Sequence, residues 1–251
     1  MSQKSVKVLV LTLISIILTY YISVLMHEYG HATTAWLLGY KKSPVDIYIG
    51  NWLLLPVSEA VDYAGILASG HGLSEALIGI SGISVTFFLF LISLLLLNRR
   101  YIQKHILLLS FFFWLANINL MEMFSYINRT FIMGDIGEFV QGLNISPLWI
   151  FIPGVFIVCL AIYRFYSVEI IKMFMLLPIK TVFMQRIFLW ITFWPLILTA
   201  LYWGRSLGWE LLAAITNSVS VFIVILILIL CDPARSWIRN NIEKNKLLQF
   251  T

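Results

Sequence analysis

Charge is scarce in this chain. Asp, Glu, Lys and Arg make up 12% of its 251 residues, where about 25% is usual in a soluble globular domain. That shortage excludes an ordinary soluble fold. Cysteine is nearly missing: Cys159 and Cys231 both lie in apolar runs, which argues against a disulfide framework or a cysteine metal site. Histidine is limited to His27, His31, His71 and His105, too few for a di-iron membrane oxygenase. There is no internal repeat and no sign of a second, separate domain. The formal net charge of +5 is modest and its basic residues gather at the ends of apolar runs, so it gives no nucleic-acid-binding surface.

What the chain has in abundance is apolar length. Hydrophobic residues make up 61% of it and mean hydropathy is +0.93, the composition of a polytopic membrane protein whose partner is the lipid bilayer. The runs are long and unbroken, as in helical spans, rather than short and alternating as in a barrel. The expected fold class is therefore an all-α polytopic membrane protein with about six spans: Val6–Leu38, Leu73–Leu97, His105–Tyr126, Pro147–Tyr166, Ile187–Trp203 and Trp209–Leu230. The first is too long for a bilayer core of about 30 Å, so it must tilt, bend or protrude, and Gly39 is a natural stop. Lys4 and Lys7 ahead of it imitate a signal peptide, but cleavage would remove the histidines, so the segment reads as a retained span.

Between the first two spans, Val45, Ile47 and Ile49 alternate with Asp46 and Tyr48, and Gly50-Asn51 forms a turn before Trp52–Leu55. This predicts a short membrane-associated β-hairpin. Ser69-Gly70-His71-Gly72 reads as a flexible loop. Span three carries Asn117, Asn119 and Glu122, which should face the bundle interior, and a loop holding Asn128, Arg129, Gly134, Asp135 and Glu138 is expected after it. Residues 1–146 thus hold three spans and the polar chemistry, while 147–251 supply three more spans and a basic tail within the same membrane domain. Of the 17 basic residues, all but Lys41, Lys42, Arg129 and Arg205 fall on the side of the termini, which the positive-inside rule makes cytoplasmic.

The chemistry concentrates in His27-Glu28-Tyr29-Gly30-His31. On a helix His27 and His31 rise from one face a turn apart and can close on a single metal ion. Glu28 projects about 100° round the helix, placed to act on a water without binding the metal. A lone histidine in an apolar helix is most often a packing residue, and His71 and His105 are read that way. Three ionisable residues within five positions are different, because a charged side chain at the bilayer centre costs about 2.5–3.5 kcal/mol or more unless partnered. This is the HExxH arrangement of zinc hydrolases. A catalytic zinc takes three protein ligands, and the third has two acidic candidates, Glu122 and Asp135. Asn117, Asn119 and Asn128 could polarise a substrate carbonyl, orient the histidines or simply hold helices together, the last being the default for any one of them; Asn119 and Asn128 are the candidates for contact with a substrate.

HEYGH at the far end of a first core span, followed by a hairpin, a helix of small residues and a third helix leading to an Asp beside glycine, resembles the site-2 protease family of intramembrane metalloproteases. The resemblance covers about residues 6 to 140. It implies that Asp135 is the third ligand, in a relaxed version of the family's Asn-x-x-Pro-x-x-x-x-Asp-Gly motif. Here Asn128 stands one position too close, Phe131 replaces the Pro, and Gly134 precedes Asp135. Of the family's Gly-Pro-x-x-Asn signature, Gly82 matches, Ile83 replaces Pro and Thr86 stands where Asn would be. It further implies Zn2+ as cofactor, Glu28 as the catalytic base, and a transmembrane protein as substrate. It also implies a site facing the cytoplasm, whereas the charge count puts HEYGH on the opposite side. Two other readings fit the same motif: a catalytically silent metal-binding sensor or regulator, and a zinc protease of another class whose third ligand is Glu122, Glu169 or Glu210.

Overall fold

A computed structural model of the protein describes residues 3–54, 56–131, 134–177, 179–206 and 211–249. It is mostly helical. Helix α1 (Gln3–Leu37) leads to a two-stranded antiparallel sheet, β1 (Tyr48–Ile49) with β2 (Val57–Ser58), and then to a short α2 (Tyr63–Ala68). There follow α3 (Gly72–Leu97), the single-turn α4 (Arg100–Lys104), α5 (Ile106–Arg129) and α6 (Asp135–Leu143). The second half contains α7 (Leu148–Arg164), a π-helical turn at Phe165–Glu169, α8 (Ile170–Leu176), α9 (Val182–Ser206), α10 (Leu211–Leu230) and α11 (Ser236–Gln249).

Among the described residues four helical stretches are long and apolar enough to cross a membrane: Val10–Leu37, Gly72–Leu97, Ile106–Ile127 and Leu148–Leu176. The fourth is longer than its apolar core suggests, because the π turn carries the helix past Tyr166, where the sequence expects it to end. The expected fifth span falls within α9 and the expected sixth overlaps α10, its first residues Trp209 and Glu210 lying outside the described residues; the described apolar stretches there, Val182–Trp194 and Val221–Leu230, are shorter. Phe88, Leu95, Trp149, Ile152 and Phe156 are exposed on the outer faces of α3 and α7, as expected of surfaces that meet lipid.

Helix α1 ends at Leu37, two residues before Gly39. Its hydroxyls do not burden it: Ser15 Oγ donates to Leu11 O at 2.7 Å and Thr19 Oγ1 to Ser15 O at 2.6 Å, so each is satisfied inside its own helix. Helices α1, α3 and α5 pack on one another, and α6 lies against α3. The main hydrophobic core surrounds α5, where Phe113, Trp114 and Phe124 meet Phe165, Tyr166 and Phe193 from the second half. Tyr166 stacks on Phe193 at 4.2 Å and Phe113 on Phe165 at 5.1 Å.

Two sequence expectations need correction. The hairpin exists, but its second strand is Val57–Ser58 rather than Trp52–Leu55, of which Leu55 lies outside the described residues. Gly50 N–H donates to Pro56 O at 2.8 Å, so the chain closes over a wide loop instead of a tight Gly-Asn turn. Trp52 and Leu53 spend their carbonyls on α1, accepting from Tyr21 and Tyr20, which ties the loop down to the helix. The second correction concerns the stretch after span three. Asn128 and Arg129 are the last turn of α5, and Asp135–Leu143 is a helix, not a loop. Asp135 and Glu138 favour that start electrostatically, and Asn144 closes it in the left-handed conformation at φ 51°.

Candidate metal centre

Four elements converge on one point near the C-terminal part of α1. His27 and His31 come from α1, Asp135 from the first turn of α6, and Tyr126 from the last turns of α5, while α3 forms the wall behind them. His27 Nε2 lies 3.1 Å from His31 Nε2 and 3.1 Å from Asp135 Oδ2, and His31 Nε2 lies 3.6 Å from the same oxygen. A tetrahedral zinc with nitrogen and oxygen ligands at about 2.0–2.1 Å has ligand-to-ligand edges of about 3.3 Å. The cluster has the dimensions of such a site. Among the described residues, these three form a group of potential ligands whose binding atoms all lie within 4.8 Å of one another.

Hydrogen bonding on the far side of each ring fixes which nitrogen faces the cluster. His31 Nδ1 is 2.6 Å from Ile78 O, an oxygen that can only accept, so Nδ1 carries a proton and Nε2 is the nitrogen turned inward. His27 Nδ1 is 3.0 Å from Thr86 Oγ1, which can accept in the same way. This is how metal-bound histidines are oriented, each by a partner behind the ring. Three electron-rich atoms then point at one another, an arrangement that only a shared cation or proton makes favourable. Burial alone would raise the carboxyl of Asp135; the adjoining imidazoles, when they carry a proton on Nε2, outweigh it by hydrogen bonding and charge and hold the group well below the ordinary carboxylate range. It is therefore an anion, as a ligand must be.

Packing explains how an imidazole fits so tightly beside α3. A Cβ built on Gly82 would stand 2.2 Å from His31 Nε2, so only a residue without a side chain leaves room for the ring. Gly82 and Thr86 of α3 thus both bear on the histidines, the first by leaving room for His31 and the second by its contact with His27 Nδ1. At the other entrance Gly134, with φ 130°, turns the backbone from α5 into α6 and sets Asp135 at the helix start.

A cavity of about 420 Å³ opens beside the cluster, lined by His27, Glu28, Glu59, Asn119, Glu122, Arg129 and Asp135 and reaching Leu54, Pro56 and Val57 of the hairpin. Glu28 is half-buried on its wall. Asn119 also lines it: its Nδ2 donates to Ser23 Oγ at 3.0 Å and Leu115 O at 2.7 Å, while Oδ1 is buried with no partner. The other expected carbonyl donor, Asn128, has its side chain outside the described residues.

The remaining candidates lie elsewhere. Glu122 lines the cavity but pairs with Arg129 at 3.4 Å and is not part of the cluster. Glu169 is fully committed to Arg164 at 2.7 Å and Lys172 at 3.0 Å in the second half. Glu210 lies outside the described residues. His71 precedes α3 with its ring 6.2 Å from that of Tyr40. His105 accompanies Tyr101 O at 2.8 Å at the start of α5, some 20 residues or about 30 Å of helix from Tyr126.

Sequence reasoning misses Tyr126, whose hydroxyl donates to Asp135 Oδ2 at 2.5 Å and lies 3.2 Å from His27 Nε2. The signal that finds it is spacing: Asn119, Glu122, Tyr126 and Arg129 follow one another at intervals of three, four and three, one face of a helix that already carries the polar residues. No protein-family model, no curated protein and no solved structure matches this chain, so its site is read from its own geometry.

Proposed function

We propose that the protein is an intramembrane zinc metallopeptidase of the HExxH type, a divergent relative of the site-2 proteases, built of six spans. The observation that carries the reading is the convergence of His27 Nε2, His31 Nε2 and Asp135 Oδ2 at tetrahedral-edge separations. The third ligand is Asp135, on a different helix more than a hundred residues along the chain from His27, a pairing hard to attribute to local helix packing.

When bound, a zinc ion supplies Lewis acidity, which acidifies water and polarises a carbonyl at its open position. His27, His31 and Asp135 hold it, and Thr86 and the Ile78 carbonyl keep the imidazoles turned toward it. Glu28 takes a proton from the attacking water as its oxygen bonds to the carbonyl carbon. Glu28 then returns that proton to the nitrogen as the C–N bond breaks, so no other reactant is needed. The polar cavity brings water to a site otherwise enclosed by apolar helices, and its acidic lining suits no nucleic acid. The substrate is a membrane-spanning protein whose scissile stretch is unwound and laid along the edge of the hairpin near Val45–Ile49.

Two measurements test this. Purified wild type should carry one zinc per chain, with Asp135→Ala losing it and Glu122→Ala keeping it; retention by Asp135→Ala refutes the ligand assignment. Glu28→Gln should keep its zinc while cleavage of a transmembrane reporter falls about 10²–10⁴-fold. Full cleavage by that variant refutes the mechanism, whereas zinc without hydrolysis in the wild type favours the silent metal-binding reading.

A further inference from the structure

Tyr126 is the one polar group of the cluster that the ligand set and Glu28 leave without a task. It is buried to 4% exposure in α5, yet its hydroxyl reaches the two atoms that matter most, Asp135 Oδ2 at 2.5 Å and His27 Nε2 at 3.2 Å. The hydroxyl thus sits directly against two of the three ligand atoms, at the rim of the cluster. The phenol is held there from behind: its ring stacks on that of His27 with centroids 6.2 Å apart, and the guanidinium of Arg129 sits 5.0 Å from the ring centre on the same turn of helix. Arg129 is in turn anchored to Glu122 at 3.4 Å and lies 3.9 Å from Asp135 Oδ1.

A hydroxyl has a single hydrogen. In the structure it goes to Asp135, whose two oxygens offer more acceptor sites than the ligand role uses. His27 and Asp135 line the polar cavity, whereas Tyr126 lines a separate apolar one of about 220 Å³ with Ile83, Phe87, Met123 and Phe151; a carbonyl oxygen seated against the ligand atoms would still lie within hydrogen-bond reach of that O–H, which is 3.2 Å from His27 Nε2. We infer that Tyr126 is a catalytic residue of this site: its neutral phenol donates a hydrogen bond to the peptide carbonyl oxygen as that oxygen takes on negative charge. No bond to Tyr126 forms or breaks and its proton stays in place; the proton that moves is the one Glu28 carries. The inference rests on the metallopeptidase reading above, and assigns that reaction a hydrogen-bond donor. A rigid, desolvated O–H aimed where charge develops is worth far more than the same group in water, and losing one such donor typically costs about 10²–10³-fold in rate.

Tyr126→Phe removes one oxygen and keeps the ring under Arg129, so it separates donation from packing. Wild type and variant, both purified in detergent, are compared for zinc content and for binding of two probes. One is a phosphinic analogue of a dileucine peptide, whose two oxygens stand for the attacking and carbonyl oxygens; the other is mercaptoacetyl-leucine, which reaches the metal through sulfur. The expected result is unchanged zinc, unchanged affinity for the thiol, and phosphinate affinity lower by about 10-fold or more, with kcat on the transmembrane reporter down about 10²–10³-fold and KM little altered. Loss of zinc, or equal loss of both probes, would show that Tyr126 only braces Asp135 and would overturn the inference, as would unchanged phosphinate binding. A wild type that carries no zinc, or a His27→Ala variant that keeps it, would overturn the metal reading itself, an outcome visible without any Tyr126 variant.

Discussion

The two ends of α5 follow opposite rules. Near its start Phe113 and Trp114 sit in an aromatic layer with Phe165 and Phe188, where contacts are apolar, interchangeable in kind and spread over many partners. Near its end Glu122, Tyr126 and Arg129 take part in a polar network with Asp135, in which particular atoms are paired at particular distances. The contrast teaches where stability and where chemistry reside. A membrane helix can bury aromatics almost anywhere along its length, but it can bury a carboxylate only where other charges meet it. The polar end is therefore the part of the helix whose sequence has least freedom.

Substitutions can break that comparison. The largest effect is expected from Asp135→Ala, which should abolish stoichiometric zinc while leaving the thermal midpoint of the apo protein in detergent close to that of the wild type; a collapse of the fold would mean that the polar end is structural after all. Phe113→Ala should do the reverse, destabilising by about 3–5 kcal/mol in a denaturant titration while the folded fraction keeps its zinc. Thr86→Val keeps shape and removes the partner behind His27, so zinc affinity measured by chelator competition should fall about 10–100-fold with little change in stability.

The smallest effect is one of pH. Burial, reinforced by a hydrogen bond with Glu75, raises the Glu138 carboxyl on α6 to about 7. Because the folded group binds its proton more tightly than the unfolded one, its contribution favours the docked state below about pH 4.5 and is lost as pH rises through about 7. The thermal midpoint should therefore fall modestly between pH 5 and pH 8, and Glu138→Gln should flatten that slope. An unchanged slope in the variant would assign the dependence to another group.

Much of the site is legible in the chain because part of it is local. His27, Glu28 and His31 are related by helical periodicity alone, so their shared face follows from residue spacing. Asp135 is different: spacing leaves it level with Glu122, and only the packing of α6 on α3 brings its carboxylate to the imidazoles while Arg129 holds Glu122 away. The helix at Asp135–Leu143 is hidden by Gly134, which reads as loop until the left-handed Asn144 and the surface of α3 give the segment something to fold against. In the same way Pro56 and the wide loop it closes conceal the partner of β1.

The sequence by itself determined that this is a membrane protein with a paired-histidine motif near the end of its first long helix, since composition and short-range periodicity need no knowledge of what lies across the bundle. Tertiary structure decided that Asp135 rather than Glu122 lies against the two imidazoles, which glycine makes room for an imidazole, and that a tyrosine stands over the cluster. Those are contacts between residues tens to more than a hundred positions apart, and the distances that define them exist only once the helices have packed.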